Sequence, residues 1–215
     1  MGFKIKKIWL FLDSDQSHMS LHTKSAIKII LLTGVRTAEL RLALWDEIDL
    51  DQSLWIIPAE HCKAGHPIKI HLSPQAKAIF CELKAASDIG YVIYGVENDT
   101  PLSESALPRA VNRIQDRIGI PHWTAHDLRR TFATLLGETL RIEPVVIEKL
   151  LGHKMPRIMA TYNKNEMLPE RKEALVKWGQ YIENIVKSDN VLACRFPEFP
   201  EKCQTGNQAE QNTSS

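Results

Sequence analysis

Arg36, Lys63, His126, Arg129, His153 and Tyr162 are the residues of this 215-residue chain whose types and order could do chemistry together. Their contexts are Thr-Gly-Val-Arg-Thr-Ala-Glu-Leu (33–40), Lys63 ahead of a basic strand, His-Asp-Leu-Arg (126–129), Leu-Gly-His (151–153) and Thr-Tyr-Asn (161–163). Attack on a phosphodiester makes three demands. The nonbridging oxygens gain charge and need fixed donors, the leaving oxygen needs a proton, and the nucleophile needs positioning and a route to lose its own proton. Arginine meets the first demand, because its planar fork gives two parallel charged hydrogen bonds to phosphate; two arginines make a clamp. A lysine among cations has its pKa lowered from about 10.4 toward neutrality, which suits a general acid. A tyrosine, whose free phenol titrates near pH ~10, can attack where neighbouring cations favour phenolate character. Such a set can cut a nucleic-acid backbone through a covalent protein–phosphate bond, without a metal.

Taken singly, each residue has a plainer reading. A lone arginine is usually a solvated charge, a hairpin lysine is solvated, a histidine near a helix end complements the helix dipole, and a tyrosine is half-buried core. The combination is what carries information. His126 and Arg129 stand three apart, so a helix puts them on one face, and His153 precedes Tyr162 by nine residues. Arg36 lies between Gly34-Val35 and an apolar segment, and Arg129 follows Leu128, so both are expected to be partly buried and to need an anionic partner.

This order and spacing resembles the catalytic domain of the tyrosine recombinases, or phage integrases, over about Ile27 to Tyr162. The stretches Leu-Trp-Asp-Glu-Ile-Asp-Leu (44–50) and Leu-Trp-Ile-Ile-Pro-Ala-Glu (54–60) look most like the P4-like group of prophage and genomic-island integrases. The resemblance implies the roles. Arg36 and Arg129 would clamp the scissile phosphate, His126 and His153 would contact it, and Tyr162 would be the nucleophile. A hairpin lysine would protonate the departing 5′-oxygen. Lys63 and Lys69 both lie in that region; the position after Pro58-Ala59-Glu60 favours Lys63 and leaves Lys69 to DNA backbone or solvent. Glu39 would support Arg36 rather than react.

The elements that must position these residues follow from periodicity. Residues 21–33 read as a helix with Ile27, Ile30 and Leu31 on one face, broken at Thr33-Gly34. Thr37 can cap a second short helix over 38–44. Residues 46–72 lack helical period; Trp55, Ile57, Ile68, Ile70 and Leu72 alternate as strand residues do, with Lys63 at or near a hairpin tip. Ser73-Pro74 opens a helix over 74–87. A strand is expected at 91–94, then helices at 104–118 (starting from Ser103 or Ser105), 125–137, 143–151 with Gly152 as its stop, 157–163 carrying Tyr162, and 168–187. The last has Leu175, Trp178, Ile182 and Ile185 on one side, which packs on its own domain or, as C-terminal segments of the family do, on a neighbouring protomer.

The expected fold is mainly α with a small antiparallel β-sheet, an integrase catalytic domain over residues 1–187, followed by a polar, disordered tail over 188–215. The family's upstream DNA-binding domain does not fit before Ser20. Net charge is +1, but residues before Ser188 carry 25 basic against 22 acidic side chains, so the body is +3 and compatible with a local basic groove. No apolar run is long enough to span a membrane, and the first residues lack a signal-peptide pattern. Cys62, Cys81, Cys194 and Cys203 form no Cys-x-x-Cys pair, which argues against zinc and for reduced thiols in a bacterial cytoplasm.

The reading is therefore a DNA-associated, site-specific recombinase that cuts and rejoins strands through a 3′-phosphotyrosine, for integration or excision of a mobile element. It needs no cofactor, metal or ATP, and no phosphate-binding Gly-rich loop is present in the sequence. The implied partners are double-stranded DNA attachment sites, a tetramer on that DNA, and accessory DNA-bending proteins. Two alternatives stay open: relaxation of DNA as by a type IB topoisomerase, and a catalytically silent DNA-binding remnant.

Overall fold

A computed structural model describes residues 2–88, 90–95, 99–153 and 165–188. Tyr162, the helix expected over 157–163 and nearly all of the polar tail lie outside the described residues. The rest is mostly helical with one small sheet, as the alternation of periodicities predicts.

The centre of the domain is α2, Leu21–Thr33. Its start is set by Ser20, whose hydroxyl accepts from the Thr23 amide at 3.3 Å. Ala26, Ile27, Ile29, Ile30, Leu31 and Leu32 are all buried, so the helix is apolar around most of its circumference and must be enclosed. Helices α4 (Pro74–Ala86), α5 (Ala106–Ile118), α6 (Ala125–Glu138) and α8 (Leu168–Lys187) surround it. Between α2 and α4 come α3 (Thr37–Arg41) and strands β1 (Ile48–Asp49), β2 (Leu54–Ile57) and β3 (Ile68–His71). The sheet is antiparallel in the order β1-β2-β3, with Trp55 opposite Ile70 and Ile57 opposite Ile68. Trp55, Ile57, Ile68 and Ile70 face the core while Ile56 and Lys69 face out, the two-residue alternation read from the sequence. Residues 58–67 connect β2 to β3 and contain Lys63.

Several boundaries follow local chemistry. The Ser73 hydroxyl accepts from the Ala76 amide, with Pro74 in the first turn of α4. Thr124 and Asp127 cap α6 reciprocally: each side chain accepts from the other residue's amide. Hydrogen bonds from Thr124 hold the Asp127 carboxyl below its usual range. Helix α7, Pro144–Leu150, is closed by Gly152 at φ +59°.

Two expectations change, one open choice is decided, and one segment gains an element. The second short helix begins at Thr37 itself and ends at Arg41; Arg36 is the residue before it, and the Glu39 carboxylate accepts from the Arg36 amide. In place of a strand at 91–94, Tyr91 and Tyr94 make single bridges to Leu44 and Pro101, a pairing too short to propagate. Helix α5 starts at Ala106, so the Ser105 start holds rather than Ser103. The first residues, assigned no element by the sequence reading, form α1, Gly2–Asp13, which buries Ile5, Ile8, Phe11 and Leu12 against α8, α5 and α2.

Helix α8 packs on its own domain. Trp178 is fully buried, donates through Nε1 to the Leu31 carbonyl at 2.8 Å and meets Phe132 edge-on. Gly179 allows the close approach to α4: a Cβ there would stand 2.2 Å from Gln75 Oε1 and 2.7 Å from Ser73 Oγ. Among the described residues no helix is long and apolar enough to cross a membrane.

Candidate active site

Gly34 ends α2 at φ +69°, with its amide donating to the Ile30 carbonyl at 2.9 Å. The chain then turns through Val35 into α3, and Arg36 occupies the residue before the first turn. Glu39 is 1 % exposed and uses both carboxylate oxygens on Arg36: Oε2 accepts from the Arg36 amide at 2.7 Å and Oε1 from its guanidinium at 2.6 Å. This orients the arginine, and among the described residues the rest of its fork has no further partner.

Arg129 is 5 % exposed and bridges two distant turns. One guanidinium nitrogen donates to the Gly34 carbonyl at 2.5 Å, the other to the Leu151 carbonyl at 2.6 Å. Burial, and then the charge of nearby Arg36, pull its pKa down to about 10, which still leaves it cationic at neutral pH. In place of the anionic partner expected for so buried an arginine, the described residues supply two neutral carbonyl dipoles, with Glu39 and Glu148 assisting at longer range. The Leu-Gly-His segment follows from the same packing. Gly152 lies against Ile68 of β3, where a Cβ would come within 2.2 Å of the isoleucine Cδ1, so glycine alone lets the end of α7 approach the hairpin.

Arg36, Lys63, His126 and Arg129 line one cavity of about 270 Å³ with Val35, Thr37, Ala38 and Ala125. They arrive from three places: the α2–α3 turn, the β2–β3 connection and the first two turns of α6. Lys63 and His126 are exposed, Arg36 is partly buried and Arg129 is buried, so the cations grade from solvent to the floor. Cys62, just before Lys63, is buried, and burial pushes its thiol up to about 11; it anchors the connection rather than offering a thiolate. His153 is not among the residues lining the cavity; its Nε2 lies 3.3 Å from the Arg129 guanidinium and its Nδ1 2.7 Å from Glu148 Oε2. Two larger cavities, one between α1 and α6 and one beside Trp45 to Asp51, are lined by none of the five predicted residues that are described.

Lys69 is not among the residues lining this cavity. It points out of the sheet and pairs with Glu166 at 3.4 Å, an exposed contact of small energetic weight. A residue missed in the sequence is Arg171 of α8, 7 % exposed, whose guanidinium donates to the Lys69 carbonyl and to the Glu166 carbonyl. It ties strand β3 to residue 166, four residues past Tyr162 along the chain. Its partners are backbone groups about a hundred residues apart or outside any motif, so only the ER at 170–171 within a helical pattern could have been noticed.

The chain is similar to known proteins. The model of the phage integrase family matches residues 3–168. Prophage integrase IntZ of Escherichia coli K12 is 33 % identical over 183 residues, covering 85 % of this chain and 45 % of that protein. The integrase of Enterobacteria phage P4 is 31 % identical over 178 residues, covering 75 % of this chain and 40 % of that one. The chain thus spans under half the length of these curated relatives. The solved λ integrase catalytic core superposes with a TM-score of 0.57 at 22 % identity, covering 72 % of this chain and 94 % of that structure.

Proposed function

The chain belongs to the phage integrase family, and from that premise we propose that it is the catalytic part of a site-specific DNA recombinase that acts through a covalent phosphotyrosine. The observation that carries the reading is the cavity itself: two arginines, a lysine and a histidine from three separated segments converge on a space fit for one phosphate. Surface cations repel one another, and their gathering around a cavity is costly unless an anion is to be bound.

In the proposed reaction Tyr162 attacks the scissile phosphorus. The new bond is Tyr162 Oη–P, the phenolic proton passing to a ring nitrogen of His126; the bond broken is P–O5′; the products are a 3′-phosphotyrosine and a free 5′-hydroxyl. Arg36 and Arg129 neutralise the charge that builds on the nonbridging oxygens, with His126 and His153 as further donors. Lys63, on its exposed connection, gives the proton that the departing 5′-oxygen needs. Attack by a 5′-hydroxyl of another strand runs the same steps backwards and exchanges strands. The phosphotyrosine retains the bond energy, so religation draws on no nucleotide, and the cations take the electrostatic part a metal plays elsewhere.

The partner is double-stranded DNA carrying attachment sites. Exchange between two duplexes cuts four strands, and each chain carries one Tyr162, so four chains act together. DNA-bending proteins would assist where the sites must be folded. Tyr162→Phe tests the reading. On sheared bacterial chromosomal DNA the wild type is expected to form SDS-resistant adducts that the variant lacks while binding DNA equally; adducts that survive in Tyr162→Phe would sink the nucleophile.

A further inference from the structure

His153 uses both ring nitrogens. Nδ1 lies 2.7 Å from Glu148 Oε2, and Nε2 lies 3.3 Å from the Arg129 guanidinium. The two residues are also joined through the backbone, where the His153 amide donates to the Glu148 carbonyl at 3.1 Å. Glu148 lies in the last turn of α7, five residues before the histidine, a separation that does not align side chains within a continuous helix. The contact exists because Gly152, at φ +59°, turns residue 153 back beside the helix.

An ionised carboxylate can only accept, so the shared hydrogen belongs to Nδ1, and Nε2 is the nitrogen turned toward Arg129. The His153 side chain is 40 % exposed. Without a partner such a ring can rotate and present either nitrogen. Among the described residues the charged groups facing it are Glu148 from α7 and Arg129 from α6; on the hairpin side Gly152 meets the apolar Ile68.

We propose that Glu148 is a positioning residue, which acts through His153: by accepting from Nδ1–H it fixes Nε2 as the nitrogen beside Arg129 that faces the phosphate, and Nε2 donates there when the phosphate binds the ring as an imidazolium, both nitrogens then carrying a hydrogen. The assignment rests on the reading of His153 as a phosphate contact. It goes beyond the six residues of the reaction, because Glu148 is not among the residues lining the cavity. Its work is to remove one rotational and one tautomeric choice before DNA arrives, the part that carboxylate and carbonyl partners play for histidines that must present a chosen nitrogen.

The test has two arms. In the first, ¹⁵N-resolved NMR of the DNA-free chain reads which His153 nitrogen carries the hydrogen. Nδ1–H is expected in the wild type, with the hydrogen moving largely to Nε2 in Glu148→Ala; Glu148→Gln, of equal size, serves the same comparison if the alanine variant does not fold. An Nε2–H wild type, or a tautomer unmoved by both substitutions, overturns the proposal. In the second arm, rates of adduct formation on sheared chromosomal DNA are compared for Glu148→Ala, His153→Ala and the double variant. Each single change is expected to slow the reaction about 10-fold, as for other residues that orient a histidine, and the double to be no slower than His153→Ala alone. A double variant slowed by the product of the single effects overturns action through His153. A wild type that forms no Tyr162-dependent adduct counts against the recombinase reading instead, and the NMR arm then decides Glu148's hold on the ring by itself.

Discussion

Arg129 holds Gly34 across the domain: its guanidinium donates to the Gly34 carbonyl at 2.5 Å, and that carbonyl lies two residues before Arg36. The two arginines of the cavity are therefore placed by one another's surroundings. Phe132, one turn beyond Arg129 on α6, packs against the Gly34 Cα, so the contact is both polar and steric.

Gly34→Ala is accordingly expected to be costly. The residue sits at φ +69°, and an added Cβ would stand 2.5 Å from two carbons of the Phe132 ring. The strained backbone and the overpacking together amount to about 2–4 kcal/mol. Urea denaturation measures it; a loss under about 1 kcal/mol would show that Phe132 yields freely.

Arg129→Lys keeps the charge and loses the fork. One ammonium cannot reproduce the guanidinium's two bonds to the Gly34 and Leu151 carbonyls, so a buried acceptor is left unsatisfied, at about 1–3 kcal/mol. Adduct formation is expected to fall about 100-fold or more, as when an oriented donor to a developing oxyanion is removed. A lysine variant of wild-type rate would mean that charge alone suffices.

Lys63→Ala isolates the proton transfer. Loss of a general acid is expected to slow cleavage of ordinary DNA about 100-fold or more. A substrate with sulfur in place of the 5′-bridging oxygen has a leaving group that needs no proton, and on it most of the penalty should vanish. Equal slowing on both substrates would assign Lys63 to phosphate binding.

Stability should decline in mild acid. Burial holds the imidazoles of His22 and His71 below their ordinary pKa of 6.5, with the charge of Lys172 adding to the effect at His71. The unfolded chain then binds these protons first, so stability is full above pH 6.5 and is lost as pH falls through 6.5 toward the depressed folded values. Glu47, pushed up by burial, acts in the opposite sense, so the check is a difference. The drop in denaturation midpoint between pH 7.5 and 5.5 should be smaller in a His22→Gln, His71→Gln double variant than in the wild type.

Much of the architecture was legible because it depends on short-range rules. Ser20, Ser73 and Thr124 cap the helices that follow them, as hydroxyls at such positions do. The alternation of Trp55, Ile57, Ile68 and Ile70 placed the hairpin, and with it the connection that carries Lys63. The N-terminal helix was less legible. Ile5, Ile8, Phe11 and Leu12 do recur at helical spacing, but a short amphipathic segment is marginal by itself, and the surface it covers on α8 belongs to residues about 170 positions later.

The order of Arg36, Lys63, His126, Arg129, His153 and Tyr162, and the chemistry open to those side chains, is determined by the sequence by itself, since ionisation and hydrogen-bonding capacity are properties of residue type. Whether they meet is not. Tertiary packing alone brought three remote segments to one cavity, sank Arg129 between the carbonyls of residues 34 and 151, turned Lys69 away to Glu166, and set Glu148 against His153 through one glycine. Each of these contacts depends on backbone groups or on residues far apart in the chain. A carbonyl has no signature in sequence, and a long-range contact becomes favourable only when the core that joins its two segments has formed.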